Sequence, residues 1–197
     1  MRGTVVIFLK APIAGRVKTR LGSEIGMGRA SVLFRMMTKR TITEARKGGW
    51  QTVLAVDPLV AGFRNLWPPT LRRIGQGNGD LGQRMKYAMG QIADGPVIVI
   101  GADAPDMRVR HLKAAFDALS AADAVFGPAE DGGYWLVGLS RRRAAPDLFD
   151  GVRWSTKHAL KDTVKSLPRD FQVALIDQLR DVDTKDDLDA MGPFSKA

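Results

Sequence analysis

Cysteine is absent from this chain, and its two histidines stand at positions 111 and 158. Those scarcities remove disulfides, thiolate nucleophiles and any sulfur- or histidine-built metal site, so a metal here must be held by oxygen. Long apolar runs are missing too. Val5 to Leu9 and Val97 to Ile100 fall far short of the ~20 residues that span a bilayer, and the N-terminus has no signal-peptide apolar region with a small-residue cleavage site. A soluble cytoplasmic protein with no membrane partner is expected. Acid is scarce in one place only. Residues 1–50 hold 11 Lys and Arg against 2 Glu, while the rest of the chain carries 19 of each sign, so the whole formal charge of +9 lies in the first quarter. Such asymmetry concentrates anionic ligands there. It lacks the interleaving of aromatic and basic residues expected of a single-strand nucleic-acid binder, and no nucleic-acid partner is expected.

What is present suits one folded domain over residues 1–197. The hydrophobic share of 45% can fill a core, and no Ser/Gly-rich linker divides the chain. Apolar runs at Thr4 to Leu9, Thr52 to Val56, Val97 to Gly101, Ala124 to Gly127, Tyr134 to Leu139 and Val173 to Ile176 read as strands, with helical patterns between most of them. Ser31 to Lys47 carries helical spacing up to Gly48-Gly49. Asp80 can cap Leu81 to Ile92, Ser155 can cap Thr156 to Leu167, and Thr184 with Asp187 resembles a capping box. Alternation of strand and helix predicts an α/β fold. The first and third runs lack polar alternation, as central parallel strands covered on both faces do. Ligands of such sheets gather outside the carboxyl ends of the strands. His111 and His158 are expected on helix surfaces.

Four cations, Lys10, Arg16, Lys18 and Arg20, surround Gly15 in the segment Lys10-Ala-Pro-Ile-Ala-Gly-Arg-Val-Lys-Thr-Arg-Leu21, directly after the first strand. They can donate to phosphate oxygens while the glycine lets backbone approach an anion. If the segment is extended Arg16, Lys18 and Arg20 share a side; if it curls they converge. Asp103 follows the run Val97 to Ile100 and precedes a proline, a position suited either to a divalent cation or to capping the next turn. Asp131 precedes Gly132-Gly133, where it is a turn acid or a base, with Tyr134 and Trp135 beside it. Asp181 and Asp183 would share a face if extended, as a second source of metal carboxylate or as an acidic helix start. The turn Gly75-Gln-Gly-Asn-Gly-Asp80 can meet a flat base through backbone groups and Gln76 or Asn78, with Arg84 toward the phosphates. It follows no convincing apolar strand. Trp154-Ser-Thr156 shapes a pocket or caps a helix.

Taken in order, Lys10-Ala-Pro-x-x-Gly-x-Val-Lys-Thr-Arg-Leu21, Gln76-Gly-x-Gly-Asp-Leu-Gly-x-Arg-Met85, Gly101-x-Asp-x-Pro105, Asp131-Gly-Gly-Tyr-x-Leu-x-Gly-Leu139, Trp154-Ser-Thr156 and Asp181-Val-Asp-Thr-x-x-Asp-Leu188 resemble the bacterial glycosyltransferase-A-like family of the nucleotide-diphospho-sugar transferase superfamily. The resemblance implies a single-domain, Rossmann-like three-layer α/β/α sandwich with a mostly parallel sheet. It implies a transferase that uses a nucleotide-activated donor, a small-molecule acceptor and Mg²⁺ or Mn²⁺. On that transfer Lys10, Ala11, Gly15, Arg16, Lys18 and Arg20 match the phosphate loop, and Gln76, Gly79 and Arg84 belong to the nucleotide side. Asp103 and Asp183 match the metal ligands, and Tyr134 and Trp154 the acceptor side. Lys18, Asp103 and Asp131 are the catalytic candidates. The second acid after Asp103 falls at Asp106, one place beyond the Asp-x-Asp spacing usual in sugar transferases of this fold. The basic loop and Gly-x-Asp-x-Pro element also resemble nucleotidyltransferases such as phospholactate guanylyltransferase, so two donors stand open: a nucleotide sugar, or a nucleoside triphosphate that releases pyrophosphate.

Overall fold

The strand β1 (Thr4–Lys10) sends Val5, Ile7 and Leu9 to one face and Val6 and Phe8 to the other, and both sets are covered. This is seen in the computed structural model, which describes residues 3–59, 65–93, 95–145 and 147–190. The remaining strands are β2 (Gln51–Asp57), β3 (Arg72–Gly75), β4 (Val97–Ile100), β5 (Ala124–Pro128), β6 (Tyr134–Leu139) and β7 (Val173–Leu175). They form one seven-stranded sheet in the order β3-β2-β1-β4-β6-β5-β7. Only β6 runs antiparallel to its neighbours, β4 and β5. The helices are α1 (Thr19–Ile25), α2 (Met27–Ala45), α3 (Leu81–Gly90), α4 (Val109–Ala121), α5 (Ala159–Lys165) and α6 (Lys185–Ala190).

Helices cover both faces, which makes three layers. Ile42 and Ala45 of α2 with Leu112, Ala115 and Leu119 of α4 bury the Val5 face, whereas Met85, Ala88 and Met89 of α3 with Leu160 and Val164 of α5 close the other. A third, smaller cluster lies off the sheet: Val17, Leu21, Leu33, Phe34, Val182 and Leu188 tie the first loop, α1 and α2 to the C-terminal segment. The strand order turns between β1 and β4, which are adjacent and parallel. A crevice opens beyond their carboxyl ends, where such sheets hold ligands. Among the described residues no helix is long and apolar enough to cross a membrane.

The α/β architecture and six of the strands follow the sequence pattern. Asp80 closes its capping box, accepting from the Gln83 N–H at 2.8 Å while Gln83 Oε1 accepts from the Asp80 N–H at 3.0 Å. Thr184 and Asp187 close theirs through the Asp187 carboxylate. Four expectations change. The glycine-rich turn does follow a strand, β3, whose two arginines and single buried residue, Ile74, hid it from an apolar-run reading. The α2 helix starts at Met27 rather than Ser31, and a separate α1 precedes it. Ser155 has φ 58° and caps nothing; α5 begins at Ala159. His111 is buried at 2% exposure, with Nδ1 accepting from the Arg108 N–H at 3.1 Å and its ring edge-on to Trp135. Burial lowers its pKa, so it is neutral.

Candidate active site

The loop after β1 curls, and its cations converge. Arg16 N–H bonds the Ile13 carbonyl at 2.9 Å and Gly15 takes φ 78°, which only glycine adopts without strain. Val17 and Leu21 then anchor the chain in the third cluster. Between them Lys18 sits in the left-handed region, φ 47° and ψ 48°, at a backbone cost of about 1–2 kcal/mol for a residue with a Cβ. That geometry points its side chain inward. The Lys18 Nζ donates to Asp103 Oδ2 at 3.0 Å and to Asp183 Oδ1 at 2.5 Å, and the side chain is only 5% exposed.

Alternation explains why two acids of the C-terminal segment face this point. Val182 is fully buried in the third cluster and donates its N–H to the Asp103 carbonyl at 3.2 Å, so its neighbours Asp181 and Asp183 turn toward Asp103. One carboxylate oxygen from each of Asp103, Asp181 and Asp183 lies within 4.8 Å of the others. The charges read consistently. Burial alone would make Lys18 give up its proton, but Asp103 and Asp183 outweigh it and hold the ammonium charged. Lys18 in turn holds the Asp103 carboxyl below its usual range. Asp181 has no such partner among the described residues; burial and the negative charges of Asp103 and Asp131 push it up to about 6. Three oxygen-donor acids gathered around a seated cation fit a divalent metal, a hard ion that takes carboxylate oxygens.

A cavity of about 660 Å³ opens from this cluster between the basic loop and the β5–β6 turn. Lys10, Arg16 and Arg20 line it beside Lys18, and among the described residues no carboxylate lies within ion-pair distance of those three. On the other side Tyr134 and Trp154 form an aromatic wall, ring centroids 6.4 Å apart. The Tyr134 hydroxyl accepts from Thr163 Oγ1 at 3.3 Å, and burial raises its pKa, so it stays protonated. Asp131 is exposed, lines the cavity and accepts the Gly133 N–H at 2.8 Å, which makes it a turn acid that also faces the cluster. Asp106 is directed elsewhere, toward Arg108 at 3.7 Å.

The nucleotide-side residues divide. Gln76 and Arg84 line the cavity, yet both are engaged. Gln76 Nε2 donates to the carbonyls of Leu9 and Ala55 at 3.0 and 2.7 Å, and its Oε1 accepts from Arg84. Arg84 also pairs with Asp57 at 2.8 Å. Gln76 therefore fastens β1, β2 and Arg84 together, with no side-chain N–H left for a base. Ala11, Gly15 and Gly79 do not line the cavity. Ala11 is buried and gives its N–H to the Asp57 carbonyl at 3.0 Å, while Gly79 takes φ 99° in the turn before α3. Two acids escaped the transfer of roles from the resemblance: Asp181, now in the cluster, and Asp57, which orients Arg84. Asp57 follows the apolar run Thr52 to Val56 as Asp103 follows Val97 to Ile100, so the same strand-tip signal marks it.

Solved structures define the class. Over its full length the chain superposes on 89% of a Desulfovibrio desulfuricans G20 protein provisionally described as a nucleotide-diphospho-sugar transferase, with TM-score 0.89 and 29% identity. Rv0371c of Mycobacterium tuberculosis, solved in complex with manganese, shares the fold at TM-score 0.60 and 17% identity, over 97% of this chain and 98% of that one. So does the inositol-1-phosphate CTP transferase of T. maritima, at TM-score 0.57 and 16% identity over 100% and 96%. The fold is that of the nucleotide-diphospho-sugar transferases, shared with nucleotidyltransferases. The chain itself belongs to the DUF2064 family, described as an uncharacterized protein conserved in bacteria, which it matches over residues 41–156. That segment includes Asp103, Asp131 and Trp154 but neither the basic loop nor Asp181 and Asp183. No curated protein matches the chain.

Proposed function

We propose that this protein is a metal-dependent transferase that uses a nucleotide-activated donor, of the nucleotide-diphospho-sugar transferase type. One observation carries the reading: three unpaired cations and a three-carboxylate cluster face the same cavity. A polyphosphate with a divalent ion, Mg²⁺ or Mn²⁺, satisfies both charges at once. Asp103, Asp181 and Asp183 would hold the ion, which when bound supplies positive charge to the departing phosphate oxygens. Lys10, Arg16, Lys18 and Arg20 take the donor phosphates and spread the charge that grows as the leaving group departs. The backbone of the turn at Gln76 to Gly79 meets the base, over the platform that Gln76, Arg84 and Asp57 make. Tyr134 and Trp154 bound the acceptor, and Asp131 is the nearby carboxylate able to take its proton.

In the sugar-transfer form an acceptor hydroxyl forms a bond to the sugar's anomeric carbon, the carbon–oxygen bond to the donor breaks, and a nucleoside diphosphate leaves. A second reading has its own support, since four cations on one loop suit a triphosphate. There an acceptor oxygen bonds to the α-phosphorus and pyrophosphate leaves. The test is a thermal-shift screen of nucleoside triphosphates and nucleotide sugars with Mn²⁺, followed by identification of the released product. A nucleoside diphosphate supports sugar transfer and pyrophosphate supports nucleotidyl transfer. If no nucleotide in either panel shifts the transition, the proposal is wrong.

A further inference from the structure

The cation seated among the acids belongs to the phosphate loop. Lys18 Nζ touches Asp103 Oδ2 and Asp183 Oδ1, two of the three oxygens gathered closely enough to hold an ion. An ammonium and a divalent ion cannot share those oxygens, because their like charges would meet at contact distance. The Lys18 backbone is fixed by the buried Val17 on one side and Leu21, in α1, on the other. Its side chain lines the cavity as well as the cluster. Two places are thus in reach of its ammonium: the acids, or an anion in the cavity beside the unpaired Lys10, Arg16 and Arg20.

We propose that Lys18 is the resting counter-ion of the carboxylate cluster, and that a divalent ion displaces it toward the donor phosphates, so that metal and donor bind as a linked pair. The inference rests on the reading of the cluster as a metal site. Charge favours the exchange. Three carboxylates with one ammonium carry an excess of two negative charges, and a divalent ion in its place cuts that excess to one, while the displaced ammonium finds phosphate in place of carboxylate. Metal alone must compete with a tethered cation, and phosphate alone must draw that cation away from two acids. Each ligand removes the obstacle to the other, which is the definition of positive coupling.

Calorimetric Mn²⁺ titration of the full chain tests this, comparing the wild type with Lys18→Met and with Lys18→Gln as a polar second variant. Both variants should bind Mn²⁺ about tenfold tighter than the wild type. In EDTA both should melt below the wild type, and Mn²⁺ should restore them. A converse arm uses inorganic tripolyphosphate in EDTA. Asp183→Asn, which removes one of the two acids that hold the ammonium, should bind it more tightly than the wild type, and the gain should vanish in Asp183→Asn/Lys18→Met. Equal Mn²⁺ affinity in wild type and both Lys18 variants would overturn the inference and leave the metal reading standing, as would a tripolyphosphate gain that survives in the double variant. Absence of Mn²⁺ binding from every protein would overturn both.

Discussion

Gln76 spends its amide hydrogens on the carbonyls of Leu9 and Ala55 and its oxygen on Arg84, at 4% exposure. On the sequence it belongs to a polar, glycine-rich turn and reads as a residue that meets a base. Its burial depends on β3 adding to β2, a pairing that no local pattern announces. Replacement by leucine takes a donor from each of two buried carbonyls and leaves Arg84 with Asp57 but without its second acceptor, and should cost about 3 kcal/mol in urea unfolding. A loss below a few tenths would mean that Gln76 is not the fastening described. Lys18, Asp103 and Asp183 were legible singly, from a cation beside a glycine and acids at strand or helix ends. Their contact was not, because it joins positions 18, 103 and 183 through tertiary packing around Val182.

At the scale of elements, the continuous apolar strands β1 and β4 were plain in the sequence, since buried parallel strands carry no competing polar alternation. The β3 edge strand and short α1 were not. The former buries one residue, and the latter is held by the third cluster more than by its own propensity. The β5–β6 turn shows how elements set the acceptor side. Gly132 takes φ 86°, and a Cβ there would stand 2.5 Å from the Lys157 carbonyl oxygen. Its own carbonyl accepts the Leu160 N–H at 3.1 Å, so the turn bearing Asp131 is seated on the segment after Trp154. Gly132→Ala should destabilise the protein by about 1–3 kcal/mol from the backbone conformation alone, read as a lowered urea midpoint; an unchanged midpoint would refute the seating. Arg153 ties the same segment to Asp162 of α5 at 2.7 and 2.9 Å and holds the Asp162 carboxyl at about 2. A depressed carboxyl stabilises above its unfolded value near ~4 and loses that effect as pH falls through the folded one. Asp162→Asn should therefore melt below the wild type at neutral pH, and the gap should close between pH 4 and pH 2. A gap that does not change with pH would exclude the ion pair as its cause.

Across the whole molecule, the excess charge of the first quarter and the acids of the last segment meet at one switch point of the sheet. The charge asymmetry and the strand–helix alternation were both visible in the sequence, which is why the fold could be read there and an anionic ligand is expected. What stayed hidden was distance: the cavity, the gathering of Asp103, Asp181 and Asp183 and the seating of Lys18 among them exist only once β1, β4 and the C-terminal segment are assembled. The central claim is that this junction holds a metal-bound polyphosphate donor. Calorimetric titration of the nucleoside triphosphates and nucleotide sugars into the wild type and Asp103→Asn, with and without Mn²⁺, tests it most directly. The account predicts that at least one nucleotide binds the wild type about tenfold tighter with Mn²⁺, and that Asp103→Asn loses this gain while unfolding with the same cooperativity. Nucleotide affinity indifferent to both Mn²⁺ and Asp103 would contradict it.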